Sequence, residues 1–220
     1  MIAVLDFDDT IFDTHNLKKE LETIFNDCLG HDYFASSYKA IRAKGNYSPY
    51  LHINELEKEG KTNEDVIKEI KTRVKELFKE IDKFIFPEAK ELLEFLQKNK
   101  YEIYLLTLGE KEFQKSKVLS STLIKQFIPE DNIYYEEKNK EENKLLLDLK
   151  ERNEKFLYIN DKESECEKVK EIFGNKCLPV VIYNQKEKPR RQSETQIMNL
   201  EELTKFLKIK NTFKEFRINK

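Results

Sequence analysis

Five short runs of this chain, at 2–5, 103–106, 133–135, 156–159 and 178–183, are apolar almost without interruption. Strands covered on both faces read this way, and the pattern belongs to parallel sheets held between layers of helix. Most of the intervals between these runs carry apolar residues at helical spacing instead. Ala89, Leu92, Leu93 and Leu96 share one face after Pro87, which suits the first turn of a helix. Helical patterns at 144–149 and 169–173 follow the third and fourth runs, and Leu200, Leu203, Phe206 and Leu207 form a last stripe. Strand and helix in alternation predict an α/β fold, a doubly wound and mainly parallel sheet.

The interval 15–83 breaks that rhythm and contains no convincing strand. Leu17, Leu21, Ile24, Phe25 and Cys28 form one helical face. Val66, Ile67, Ile70, Val74, Leu77, Phe78 and Ile81 form another, with Thr62 and Asp65 as its capping residues. Gly45, Asn46, Ser48 and Pro49 mark a turn between helices. An all-helical insert is expected at 15–83, within a core made of 1–14 and 84–207. Residues 208–220 remain as a C-terminal extension, where Phe213 and Phe216 are candidates for packing on the domain or on a partner. The polar runs at 136–144 and 184–194 read as solvated loops or helix starts.

Charged residues make up 37% of the chain, yet the two signs are mixed and the formal net charge is −2. That argues against nucleic acid or an anionic membrane as a bulk electrostatic partner. No run approaches the roughly 18–20 apolar residues that span a bilayer, and no signal peptide is visible. The three cysteines, Cys28, Cys166 and Cys177, lie far apart and read as reduced thiols, so a cytoplasmic protein is expected.

The candidate chemistry begins where the first run ends, in "AVLDFDDTIFDT". Ligands in an open α/β sheet bind beyond the carboxyl ends of the strands, and Asp6 and Asp8 stand at that end. Two carboxylates held close need a cation, or one must take a proton. A hard cation with oxygen ligands, Mg²⁺, resolves the repulsion. Asp9 reads as a loop residue, and Asp13 with Thr14 as the hinge into the insert. The second run ends in Thr107 and Gly109, where a hydroxyl and N–H groups freed by a glycine turn suit a phosphoryl oxygen. The fourth ends in Asp161, with Glu165 four residues on, a second acidic group at the same edge. Lys138, Lys140 and Lys144 offer cations to balance an anionic substrate. Gln114 and Lys117 fit the helix after the second run and read as structural.

In that order, "LDFDDT", "IYLLTLG", a downstream lysine and "YINDKESE" resemble the four motifs of the haloacid dehalogenase-like hydrolases. The resemblance covers about 1–14 and 84–207, and the insert resembles that family's helical cap. It implies that Asp6 is a nucleophile forming an aspartyl-phosphate, and that Asp8 is the general acid and then the base. It implies Mg²⁺ held by Asp6, the backbone carbonyl of Asp8 and Asp161, with Glu165 reaching it through a water. Thr107 would hydrogen-bond the transferring phosphoryl group. Lys138 matches best as the lysine, with Lys144 second. Two departures stand out: the family usually has Gly in place of Asn160 and Asp in place of Glu165.

The expected activity is Mg²⁺-dependent hydrolysis of a small phosphorylated metabolite. Asp8 favours this over dehalogenation, since halide leaves without a proton and an alkoxide does not. The other readings are a catalytically weak binding or regulatory protein, kept open by Asn160 and Glu165, and a phosphatase of nucleic-acid ends. Within the insert, Arg42 could grip a second anionic group and Tyr47 could stack on a ring. The competing reading of that stretch is a solvated turn.

Overall fold

The computed structural model describes residues 1–30, 33–60, 62–140, 143–183 and 196–218. The run 184–194 and the side chains of Phe213 and Phe216 lie outside the described residues. Six strands form one parallel sheet in the order β3-β2-β1-β4-β5-β6. They are β1 (Ile2–Leu5), β2 (Glu102–Leu108), β3 (Ile133–Glu136), β4 (Phe156–Asn160), β5 (Cys177–Ile182) and β6 (Gln196–Met198). The sheet is the doubly wound one that the apolar runs predict. The run pattern does not mark β6, which is only three residues long.

Side chains alternate across a strand, and β1 shows why it is apolar throughout. Ala3 and Leu5 join a core with α5 (Pro87–Lys98) and α10 (Leu200–Ile218). Ile2 and Val4 join a second core with α8 (Lys144–Arg152) and α9 (Glu163–Phe173). The first face also takes α6 (Lys111–Ser120) and α7 (Thr122–Phe127). No position on β1 faces water, so none can be polar without cost.

Four helices fill the interval after β1: α1 (Thr14–Leu29), α2 (Tyr33–Lys44), α3 (Pro49–Glu59) and α4 (Glu64–Lys79). Asp13 caps α1 by accepting from Asn16 N at 2.9 Å, and Gly30 ends it at φ 79°. The cap of α4 is Asn63, which accepts from Val66 N at 2.9 Å; the residues expected there, Thr62 and Asp65, flank it. The two crossings between core and insert pair with each other. Asp13 N donates to Phe84 O at 2.7 Å, and Phe86 N donates to Ile11 O at 3.1 Å. Among the described residues, no helix is long and apolar enough to cross a membrane.

Candidate active site

Register sets the site. Leu5 is level with Leu105 on one neighbour and Ile159 on the other. The residues that follow therefore emerge together at the carboxyl edge: Asp6 beyond β1, Thr107 near the end of β2, Asp161 beyond β4. Asp6 N donates to Ile159 O at 2.8 Å, which extends the ladder by one residue and fixes where its side chain starts. Asp9 then turns the chain at φ 57°, a left-handed angle that aspartate tolerates better than most residues.

Asp6 is buried, and Lys140 Nζ reaches its Oδ1 at 2.6 Å. Thr10 Oγ1 donates to Oδ2 at 3.4 Å. Asp161 stands at the same edge and is perturbed by the same carboxylate. Burial, followed by the charge of Asp6, raises the Asp161 carboxyl well above the usual range. Its Oδ1 is buried with no hydrogen-bond partner. Two facing carboxylates with one oxygen unsatisfied are a fitting place for a hard cation, which removes both penalties. The fit is limited to Asp6 and Asp161: among the described residues, no three His, Cys, Asp or Glu side chains gather to hold a metal.

The side chains of Glu165, an expected ligand, and of Asp8, expected to reach the metal by its backbone carbonyl, both have other partners. Glu165 accepts from Asn160 Nδ2 at 2.9 Å, Lys140 Nζ at 3.0 Å and Lys162 Nζ at 3.1 Å. Burial raises its carboxyl, but the two lysines outweigh that and hold it low. It faces cations and is a counter-ion to Lys140 and Lys162. The Asp8 side chain turns to the other side, where Lys117 Nζ, Gln114 Nε2 (2.6 Å) and Thr14 Oγ1 (2.9 Å) all donate to it. Burial pushes the Asp8 carboxyl up, yet Lys117 and the other donors prevail and keep it ionised.

The lysine on Asp6 is Lys140, and neither Lys138 nor Lys144 is. Both of those are exposed, whereas Lys140 is 3% exposed. Asn143 caps α8, accepting from Leu145 N at 2.7 Å, and its own N–H donates to Lys140 O at 3.0 Å. Lys140 lies between Asp6 and Glu165, and Lys144 is on the outer side of the helix.

Gln114 and Lys117, read as structural from the sequence, both hold Asp8. Thr107 Oγ1 donates to Gln114 Oε1 at 3.1 Å, and Gln114 Nε2 also donates to Leu108 O at 3.1 Å. One amide thus joins the threonine to Asp8. Gly109 makes room for it, since a Cβ there would sit 2.2 Å from Gln114 Nε2. The Gly109 N–H is not freed for a phosphoryl group, because it donates to Glu136 O at 2.8 Å. Lys117 is 1% exposed and lies over three rings, with Phe113 at 4.8 Å, Phe12 at 5.4 Å and Phe7 at 5.5 Å. A signal for both was in the sequence: they fall on the buried face of α6 with Phe113 and Val118.

Asn160 is buried at the end of β4, where its Nδ2 reaches Tyr158 Oη at 3.1 Å as well as Glu165. The two departures from the family pattern are therefore in contact with each other. In the insert, Tyr47 packs against Tyr38 (4.6 Å), Phe34 (6.1 Å) and Phe113 of the core (6.2 Å). Its hydroxyl lies 3.3 Å from His52 Nδ1. That ring closes a cap–core contact instead of standing free to stack on a ligand. Arg42 is exposed in the last turn of α2. Asn46 Nδ2 donates to Glu137 O at 2.8 Å, so the turn after α2 touches the loop that carries Lys140.

Residues 1–166 match the model of the haloacid dehalogenase-like hydrolases. No curated protein sequence matches the chain. Among solved structures, one from Burkholderia xenovorans LB400, assigned to the same hydrolases, is similar with a TM-score of 0.67 at 17% identity, covering 93% of this chain and 94% of that one. A phosphatase of this family from Thermococcus onnurineus gives 0.61 at 18%, covering 94% and 97%. Bacillus subtilis YfnB, assigned to the family and solved with magnesium, gives 0.59 at 16%, covering 94% and 97%. Dehalogenases share the fold too, so the fold alone leaves the leaving group open.

Proposed function

Because the chain belongs to the haloacid dehalogenase-like hydrolases, we propose that it is a magnesium-dependent phosphatase acting on a small phosphomonoester through an aspartyl-phosphate on Asp6. The observation that carries this reading is the pairing of Asp6 with Lys140 at 2.6 Å, while a second acid stands two residues away at Asp8. A nucleophilic carboxylate needs its charge balanced when a dianion approaches, and an alkoxide needs a proton donor to leave.

In the first half-reaction an Asp6 oxygen bonds to phosphorus as the bond to the leaving alkoxide breaks. Asp8 supplies the proton that the alkoxide takes. In the second, Asp8 accepts a proton from water, the water oxygen bonds to phosphorus, and the bond to Asp6 breaks to release inorganic phosphate. Asp8 is held as a carboxylate by Lys117, Gln114 and Thr14, so it is prepared for the second half. For the first it must be protonated and let go of Lys117. Lys140 offsets charge on Asp6, and Thr107 would have to turn its hydroxyl from Gln114 to meet the phosphoryl group. A divalent cation held by Asp6 and Asp161 would neutralise charge on the phosphoryl oxygens.

The test is hydrolysis of p-nitrophenyl phosphate with and without Mg²⁺, beside Asp6→Asn. Turnover that needs the metal and disappears in the variant is expected. Absence of turnover in the wild type, or equal turnover in the variant, rejects the reading.

A further inference from the structure

On the far side of α6 from Asp8 lies a groove of about 640 Å³, bounded by α3 and α4 of the cap and by α6 and α7 of the core. Its volume falls in the range of small-molecule sites. Tyr50, Ile53, Val74, Phe78 and Leu119 make an apolar floor, in which the Tyr50 and Phe78 rings lie 6.4 Å apart at 30°. The charged groups that line it are Lys71, Lys75, Lys79 and Lys125, with no carboxylate among the lining residues. Glu57 pairs with Lys71 at 2.5 Å and Glu76 with Lys79 at 2.7 Å. Among the described residues, no acid pairs with Lys75, from the cap, or with Lys125, from the core. Ser116 and Ser120 add hydroxyls on the core side.

We propose that this groove binds a small organic anion with an aromatic body, whose charge is shared by Lys75 and Lys125 and whose ring rests on Tyr50 and Phe78. Exposed ammonium groups on an apolar floor select against cations and against bare inorganic anions alike: the floor needs a body, and the rim needs a negative charge. The site is distinct from the catalytic edge. Gln114 and Lys117 leave α6 on one side to reach Asp8, while Ser116, Leu119 and Ser120 leave it on the other. An occupant would touch cap and core at once, against the helix that orders Asp8.

The probe is naphthalene-1-sulfonate, which a phosphatase cannot hydrolyse, titrated into the full chain by calorimetry. Stoichiometric binding is expected, unchanged in Asp6→Asn, with neither 1-naphthylmethylammonium nor sulfate binding. Lys75→Glu and Lys125→Glu should each weaken it about fivefold, the upper end for an exposed ion pair. Both lysines are exposed, so the variants are expected to fold, which circular dichroism checks. No binding of the sulfonate overturns the proposal, as does equal binding of the ammonium probe or indifference to either lysine. Loss of binding in Asp6→Asn would assign the probe to the catalytic edge and overturn it as well.

Discussion

Lys138, Lys140 and Lys144 have the same side chain, and burial separates them. Lys140 sits between Asp6 and Glu165, and the other two face solvent. Removing Lys140 leaves buried Asp6 without its counter-ion, while Glu165 keeps Lys162 at 3.1 Å. Lys140→Ala should cost about 3–5 kcal/mol in urea denaturation. The p-nitrophenyl phosphatase rate should fall on the order of 10²–10³-fold. Lys138→Ala and Lys144→Ala should leave both measurements near wild type; a loss in either would return the role to that residue. The sequence could not choose among the three because a loop has no period. Asp6, Asp8 and Asp161 were legible because each follows a strand, and strand ends are fixed by the apolar run before them.

Gly109 makes a residue-scale point of another kind. A methyl group there meets Gln114 Nε2 at 2.2 Å, and that amide holds both Asp8 and the Leu108 carbonyl. Gly109→Ala should destabilise the fold by about 1–3 kcal/mol through overpacking, measured by thermal or urea unfolding. It should also lower turnover, since Asp8 loses a donor. Wild-type stability with wild-type rate would show that Gln114 has another place to go.

Among elements, the cap is legible as helix but not as a surface. The apolar stripes of α1 and α4 face inward as their periods predict, with Leu17, Leu21, Ile70 and Val74 buried. Tyr47 and His52 are harder to read, because aromatic and polar atoms share one side chain. His52 is stacked on Phe25 at 4.3 Å, and its Nε2 lies 2.8 Å from Ser37 Oγ. Burial lowers the imidazole from 6.5 to about 4, with Glu59 opposing only in part. The unfolded chain therefore binds a proton that the folded chain refuses between those values. The His52 contribution to stability should be level above about pH 6.5 and fall as pH drops towards 4, opposite in sign to that of Asp161, whose carboxyl is raised to about 7. His52→Gln should flatten that limb of the melting-temperature profile; an unchanged slope would place the titrating group elsewhere.

For the whole molecule, the plan follows from one requirement: each face of the sheet must be covered. That requirement made five strands and their helices readable from apolar runs alone. It does not reach β6, whose three residues carry too little pattern. It reaches α6 as a helix but not the role of its buried lysine, which interrupts the stripe because it meets Asp8. Chemistry is what makes that stripe irregular, and the irregularity is a usable signal: Lys117 is costly in a core unless something anionic meets it.

The cap leaves the core at Thr14 and returns by Phe84, and the two crossings are hydrogen-bonded to each other. Thr14 is both the first residue of α1 and a donor to Asp8 at 2.9 Å. The seam therefore runs through the loop that carries the proposed catalytic Asp8, not beside it. Anyone exchanging caps between relatives would have to cut after Thr14 and before Phe84. A junction placed at the apparent boundary, where the helix begins, would replace a working part of the core along with the module.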